Sequence, residues 1–155
     1  MADLPENFLG MLDEAAAIVR SDYPNAQLLE ATINLELLGS PWSFVFNDPN
    51  TTPNSTVFLK NFEGQFQTPP LHVDSPFGGD VDIALPIPLD LPDAEALCQQ
   101  QGCGGQVSII TLRYPLAFGV TEPEYIFAMA SEGRRCFVGV ETRQVQCEAL
   151  PPPAP

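Results

Sequence analysis

The chain has a single histidine, His72, in the run His72-Val73-Asp74, and Asp80-Val81-Asp82 follows shortly after. In extended backbone alternate side chains point the same way, so His72 with Asp74 and Asp80 with Asp82 form two pairs of the kind a divalent cation takes. Nothing in the intervening Ser75-Pro76-Phe77-Gly78-Gly79 holds those pairs together. An acidic chain scatters aspartates through solvated loops in any case, so no metal and no other cofactor is expected. His72 would also have to be the base of any Ser/His/Asp or Cys/His hydrolase. Neither G-x-S-x-G nor a cysteine-based signature occurs, which argues against nucleophilic catalysis. A desolvated carboxylate pair could still do acid–base work in a cavity, but spacing does not say which of the 20 acidic side chains it would be.

Cys98-x4-Cys103 and Cys136-x10-Cys147 do not match zinc spacing. Cys98 with Cys103 could clip the end of a helix, whereas a straight strand from Cys136 to Cys147 would hold its ends about 36 Å apart. A hairpin near Glu141 to Arg143 would be needed to bring that second pair together. Four half-buried thiols stand level with disulfides as a reading. Asn50-Thr51-Thr52 and Asn54-Ser55-Thr56 are glycosylation-type triplets that mark one polar, exposed loop.

Elements must position whatever these residues do, and composition bounds the elements. The 155 residues fit one domain, or two half-domains sharing a core. Apolar residues at 45% are enough for a packed core, and a net charge of -14 repels phosphate backbones and anionic lipid, so neither nucleic acid nor membrane is an expected partner. No apolar stretch approaches the length a membrane helix needs. The start reads as an amphipathic helix rather than a leader, which predicts a cytoplasmic protein by default, or a secreted one if Met1 stands where a leader was removed.

Phe8, Met11, Leu12, Ala15, Ala16 and Val19 recur at helical spacing, with Asp3 and Glu6 as a capping box and Tyr23-Pro24 as the stop. Alternation then predicts strands over 29–38, over Trp42 to Phe46, and over a third run in which Phe58, Phe62 and Phe66 face inward and Asn61, Glu63 and Gln65 outward. Residues 68–92 read as a Pro-rich connection with an edge strand at 81–85. A second helix is expected over 93–101, stopped by Gly102, with strands over 106–118, 124–130 and 136–147. The tail, 149–155, reads as disordered.

Helix followed by strands occurs twice, over 1–67 and 93–148. Asn25-Ala26-Gln27-Leu28 corresponds to Gly104-Gly105-Gln106-Val107 at an offset of 79 (106 minus 27), and Val57-Phe58-Leu59 to Cys136-Phe137-Val138 at the same offset. A helix ending in Tyr23-Pro24-Asn25-Ala26 before a strand such as Ala31 to Leu37 resembles the PepSY module, and two in tandem resemble the β-lactamase-inhibitory proteins. A cystatin-like or NTF2-like helix on a curved sheet is the nearest competitor. The first resemblance implies an α+β fold with two helices on one face of a mainly antiparallel sheet of about six to eight strands, and a role in binding other proteins.

The expected function is therefore non-enzymatic: a protein-binding or inhibitor-like module using the polar sheet face and loops, with a possibly basic protein partner attracted by the net charge. Trp42, Asn61, Glu63, Gln65, Arg113 and Tyr125 are the candidate contact residues. The alternative is a small-molecule carrier or small isomerase with an apolar cavity between helix and sheet, lined by Phe8, Trp42, Phe44, Phe62 and Tyr125.

Overall fold

The computed structural model describes residues 4–78, 81–115, 117 and 119–150. Phe8–Asp22 forms α1, whose inner stripe Phe8, Leu12, Ala15, Ala16 and Val19 is buried as the spacing predicts. The helix begins later than the expected capping box: Asn7 is the N-cap, its Oδ1 accepting from the Gly10 N–H at 2.9 Å. Asp3 lies outside the described residues. Tyr23 closes the helix by donating its N–H to the Val19 carbonyl.

Four strands follow, β1 (Gln27–Asn34), β2 (Trp42–Asp48), β3 (Ser55–Phe62) and β4 (Gln65–Val73). Then come α2 (Leu91–Gln100), β5 (Ile109–Arg113), β6 (Glu124–Met129), a 3₁₀ turn at Ala130–Glu132, β7 (Arg134–Gly139) and β8 (Val145–Ala149). All eight strands join one antiparallel sheet in the order β4-β3-β2-β1-β5-β6-β7-β8. The protein is thus α+β, with one eight-stranded sheet and two helices.

Several boundaries differ from expectation for local reasons. β1 stops at Asn34, whose Oδ1 accepts the Glu36 N–H at 3.0 Å and turns the chain, leaving Leu37 and Leu38 exposed. The third apolar run is a hairpin rather than one strand, because Glu63 (φ 51°) and Gly64 (φ 91°) adopt left-handed backbone. Asn61 Oδ1 accepts the Gly64 N–H at 2.9 Å from a buried position, so Val57, Leu59 and Asn61 face inward and Phe58, Lys60 and Phe62 outward, the reverse of the expected parity. The Pro-rich stretch begins inside β4, which carries Pro69 and Pro70 as an edge strand can. Its edge-strand candidate at 81–85 reduces to one bridge, Ile83 to Leu28.

The inner sheet face and both helices enclose the core. One row runs His72, Val57, Phe46, Leu28, Ile83 across five neighbouring segments. The helices converge at Asp90, whose Oδ1 accepts from Leu91 N–H at 2.8 Å and from Leu9 N–H at 3.2 Å, so one carboxylate sits at the positive ends of both. Beside it the buried Tyr125 hydroxyl donates to the Leu89 carbonyl at 2.8 Å.

The cysteines pair as Cys98–Cys136 and Cys103–Cys147, which corrects the Cys98–Cys103 clip. A hairpin does set Cys136 opposite Cys147 in the β7–β8 register. Each then bonds upward: Cys98 on the buried face of α2 reaches β7, and Cys103 in the loop after it reaches β8.

Candidate binding surface

Both helices lie on one face of the sheet. On the other, alternate residues form an outward surface with Thr32 and Thr111 at its centre, on the middle strand pair β1–β5. The Thr32 hydroxyl contacts the Thr111 hydroxyl at 3.1 Å and donates to the Ile110 carbonyl at 3.0 Å. Ser43 and Lys60 continue the row on one side, and Ile126, Phe137 and Gln146 on the other. At the β3–β4 end the segment after β4 folds onto the surface, with Phe77 against Phe58 (centroids 6.2 Å) and Thr56 Oγ1 donating to the Ser75 carbonyl at 2.7 Å.

Outward charges alternate in sign. Glu30, Arg113 and Glu124 are neighbours across β1, β5 and β6. Arg135 on β7 pairs with Glu148 on β8 at 2.6 Å and lies over the Phe137 ring at 5.2 Å. Burial, helped by the Glu122 and Glu148 carboxylates, pushes the Glu124 carboxyl above its usual range. Burial also works to raise Glu122, but its hydrogen bonds outweigh that: the carboxylate accepts from the Thr142 hydroxyl (2.6 Å), Thr142 N–H (3.0 Å) and Glu141 N–H (2.7 Å) and titrates below the usual range. Glu122 thereby clamps the β7–β8 turn.

Four exposed apolar side chains gather at one end of the sheet: Leu37 and Leu38 in the β1–β2 turn, Phe62 at the end of β3 and Ile109 at the start of β5. Pattern reading placed Leu37 in a strand and Phe62 inward; the tight turn at Asn34 and the buried Asn61 put both at the rim. Glu63 lies in the adjoining hairpin tip, exposed, and Gln65 pairs with Phe62 beside it.

The remaining candidates sit elsewhere. Trp42 is 5% exposed and packs on Phe8 with ring centroids 4.7 Å apart, and Tyr125 is fully buried, its phenol held far above the usual range by burial and then by Asp90 and Asp93. Neither reaches a partner, and Asn61 is spent on the hairpin; of the six expected contact residues only Glu63, Gln65 and Arg113 are on or beside the outward surface.

His72 stacks on Tyr23 at 5.1 Å and its Nε2 lies 2.9 Å from the Ser55 hydroxyl, with Asp74 3.4 Å from Nδ1. The row through Leu28 to Ile83 places Asp82 four strand spacings away, roughly 19 Å. Asp80 lies outside the described residues, and among those described no cluster of His, Cys, Asp and Glu could hold a metal. No described helix is long and apolar enough to cross a membrane.

No protein-family model and no curated protein matches this chain. Among solved structures it is similar to a crystal structure of a "putative lipoprotein" from Clostridium difficile 630, at TM-score 0.61 and 14% identity over 88% of this chain and 92% of that one; the likeness is one of fold.

Proposed function

We propose that the chain is a non-enzymatic protein-binding module and that the outward sheet face, with its apolar rim, is the contact surface. The observation that carries this is an eight-stranded sheet with both helices on one side, Phe62 and Ile109 exposed at one end of the other, and Leu37 and Leu38 exposed in the β1–β2 turn at that same end. The small-molecule alternative has less support. Phe8, Trp42, Phe44 and Tyr125 pack ring against ring, at 4.7, 6.4 and 6.1 Å, and fill the space a ligand would need. The outward strand positions carry Glu30, Glu124 and Glu148 against Lys60, Arg113 and Arg135, with Glu122 over Gly139 and Glu63 at the hairpin tip adding negative charge at the margins, so the face selects by charge pattern with a modest acidic excess. Both disulfides support work in an oxidising compartment.

We read the chain further as two α-β-β-β-β units in tandem, the arrangement that likeness to the PepSY module implies. Element order supports this. So does the central pairing, because Thr32 and Thr111 are 79 apart (111 minus 32), the sequence offset itself, and face each other across β1–β5 as residues on a two-fold axis would. Capture of a partner by immobilised protein tests the function. Thr111→Arg and Ile126→Lys should abolish capture while leaving the thermal midpoint unchanged; capture that survives both, or is lost only with changes on α1, contradicts it.

A further inference from the structure

On the helix side of the sheet, an open groove of about 550 Å³ lies between the exposed flank of α1 and the edge strand β4. One wall carries Glu14, Ile18 and Asp22, and the other is Thr68-Pro69-Pro70. That second wall exists because β4 leaves register. Phe58 pairs with Leu71 and Lys60 with Gln67, so three residues of β4 span the interval that Leu59 alone spans on β3. Pro69 and Pro70 have no N–H to offer another strand, so the wall is an apolar ridge rather than an edge open to β-pairing.

Glu14, Ile18 and Asp22 are at helical spacing, which puts an aliphatic side chain midway between two carboxylates about 12 Å apart. Neither carboxylate joins an ion pair among the described residues, and no cation lines the groove. The one basic residue of α1, Arg20, is turned away to the Ala26 carbonyl at 3.0 Å and the Gln27 side chain. A four-residue step of extended chain covers about 13 Å, close to the spacing of the two carboxylates.

We propose that this groove docks an extended basic segment of a partner protein, of the pattern basic-x-apolar-x-basic, with the apolar side chain over Ile18 against Pro69 and Pro70 and the two cations at Glu14 and Asp22. The net charge of -14 steers such a segment at long range, and the acid–apolar–acid stripe sets its register. The site is on the opposite side of the sheet from the outward face and does not depend on the role proposed there.

The test is an anisotropy titration with a labelled peptide containing Lys-Ser-Leu-Ser-Lys, beside a permuted peptide with the lysines adjacent. Saturable binding should weaken by about tenfold in Glu14→Lys/Asp22→Lys, by a similar factor in Ile18→Asp, and with added salt, while Thr111→Arg leaves it unchanged. The permuted peptide should bind more weakly. No saturation by 1 mM peptide, equal affinity for the two peptides, or affinity indifferent to the charge reversals overturns the proposal.

Discussion

Asp90 shows how much one side chain can organise. Its carboxylate terminates two helices at once, so Asp90→Ala orphans two N–H donors and removes a charge the helix dipoles favour. A loss of about 1–2 kcal/mol is expected, seen as a thermal midpoint lower by about 3–6 °C. Tyr125→Phe leaves the Leu89 carbonyl without its donor and should cost about 1 kcal/mol in urea unfolding with an unchanged slope. The pair Glu122 and Glu124 responds to pH in opposite senses. Glu124 is raised in the folded state, so its contribution to stability is full below the unfolded carboxyl range and is lost as pH rises through the folded value. Glu122 is lowered, so its contribution is present above that range and lost as pH falls through its own folded value. Glu124→Gln, which mimics the protonated form, should therefore be slightly more stable than the wild type above the range in which folded Glu124 titrates and match it below the unfolded carboxyl range, read from thermal midpoints across pH. The signal for Asp90 was present in Asp90-Leu91-Pro92-Asp93, a cap followed by proline in the first turn, although the helix was expected to start two residues later, at Asp93.

At the level of elements, α1, β2 and α2 were legible because the apolar period was clear and the stop signals at Tyr23-Pro24 and Gly102 fell where the helices end, although both helix starts were misplaced. β3 was not. Phe58 and Phe62 alternate with Val57 and Leu59, so both parities are apolar, and only the hairpin that buries Asn61 decides between them. β4 was hidden by its prolines, whose meaning as an edge depends on strand order and not on local pattern. The cysteine pairing was equally out of reach, since four cysteines permit three pairings and the choice rests on α2 lying over β7 and β8. α2 is only 10 residues long with three buried side chains, Leu91, Ala94 and Cys98, so the two disulfides carry much of its attachment. Replacing Cys98 and Cys136 together by alanine should cost about 2–4 kcal/mol, with faster hydrogen exchange in α2 and β7 and little change in β2 and β3.

For the whole molecule, element order and the family resemblance it carries anticipated two helices on one side of a mainly antiparallel sheet, and the sheet is continuous over eight strands. The sheet face proposed for contact was anticipated as the polar face, and Glu63, Gln65 and Arg113 lie on or beside it, whereas Trp42, Asn61, Tyr125 and the apolar rim were not read correctly. Trp42 and Tyr125 went to the core because the largest rings fill the helix–sheet interface, while the rim leucines came from a turn that pattern alone read as strand. The most direct test of the proposed role is hydrogen exchange, with side-chain shift mapping, of the protein with and without its captured partner. Protection and shifts should concentrate on the outward residues of β1, β5 and β6, Thr32, Thr111 and Ile126 among them, and on the rim at Leu38 and Ile109. A footprint confined to the helices, or a bound partner that leaves those outward residues unperturbed, would contradict the account.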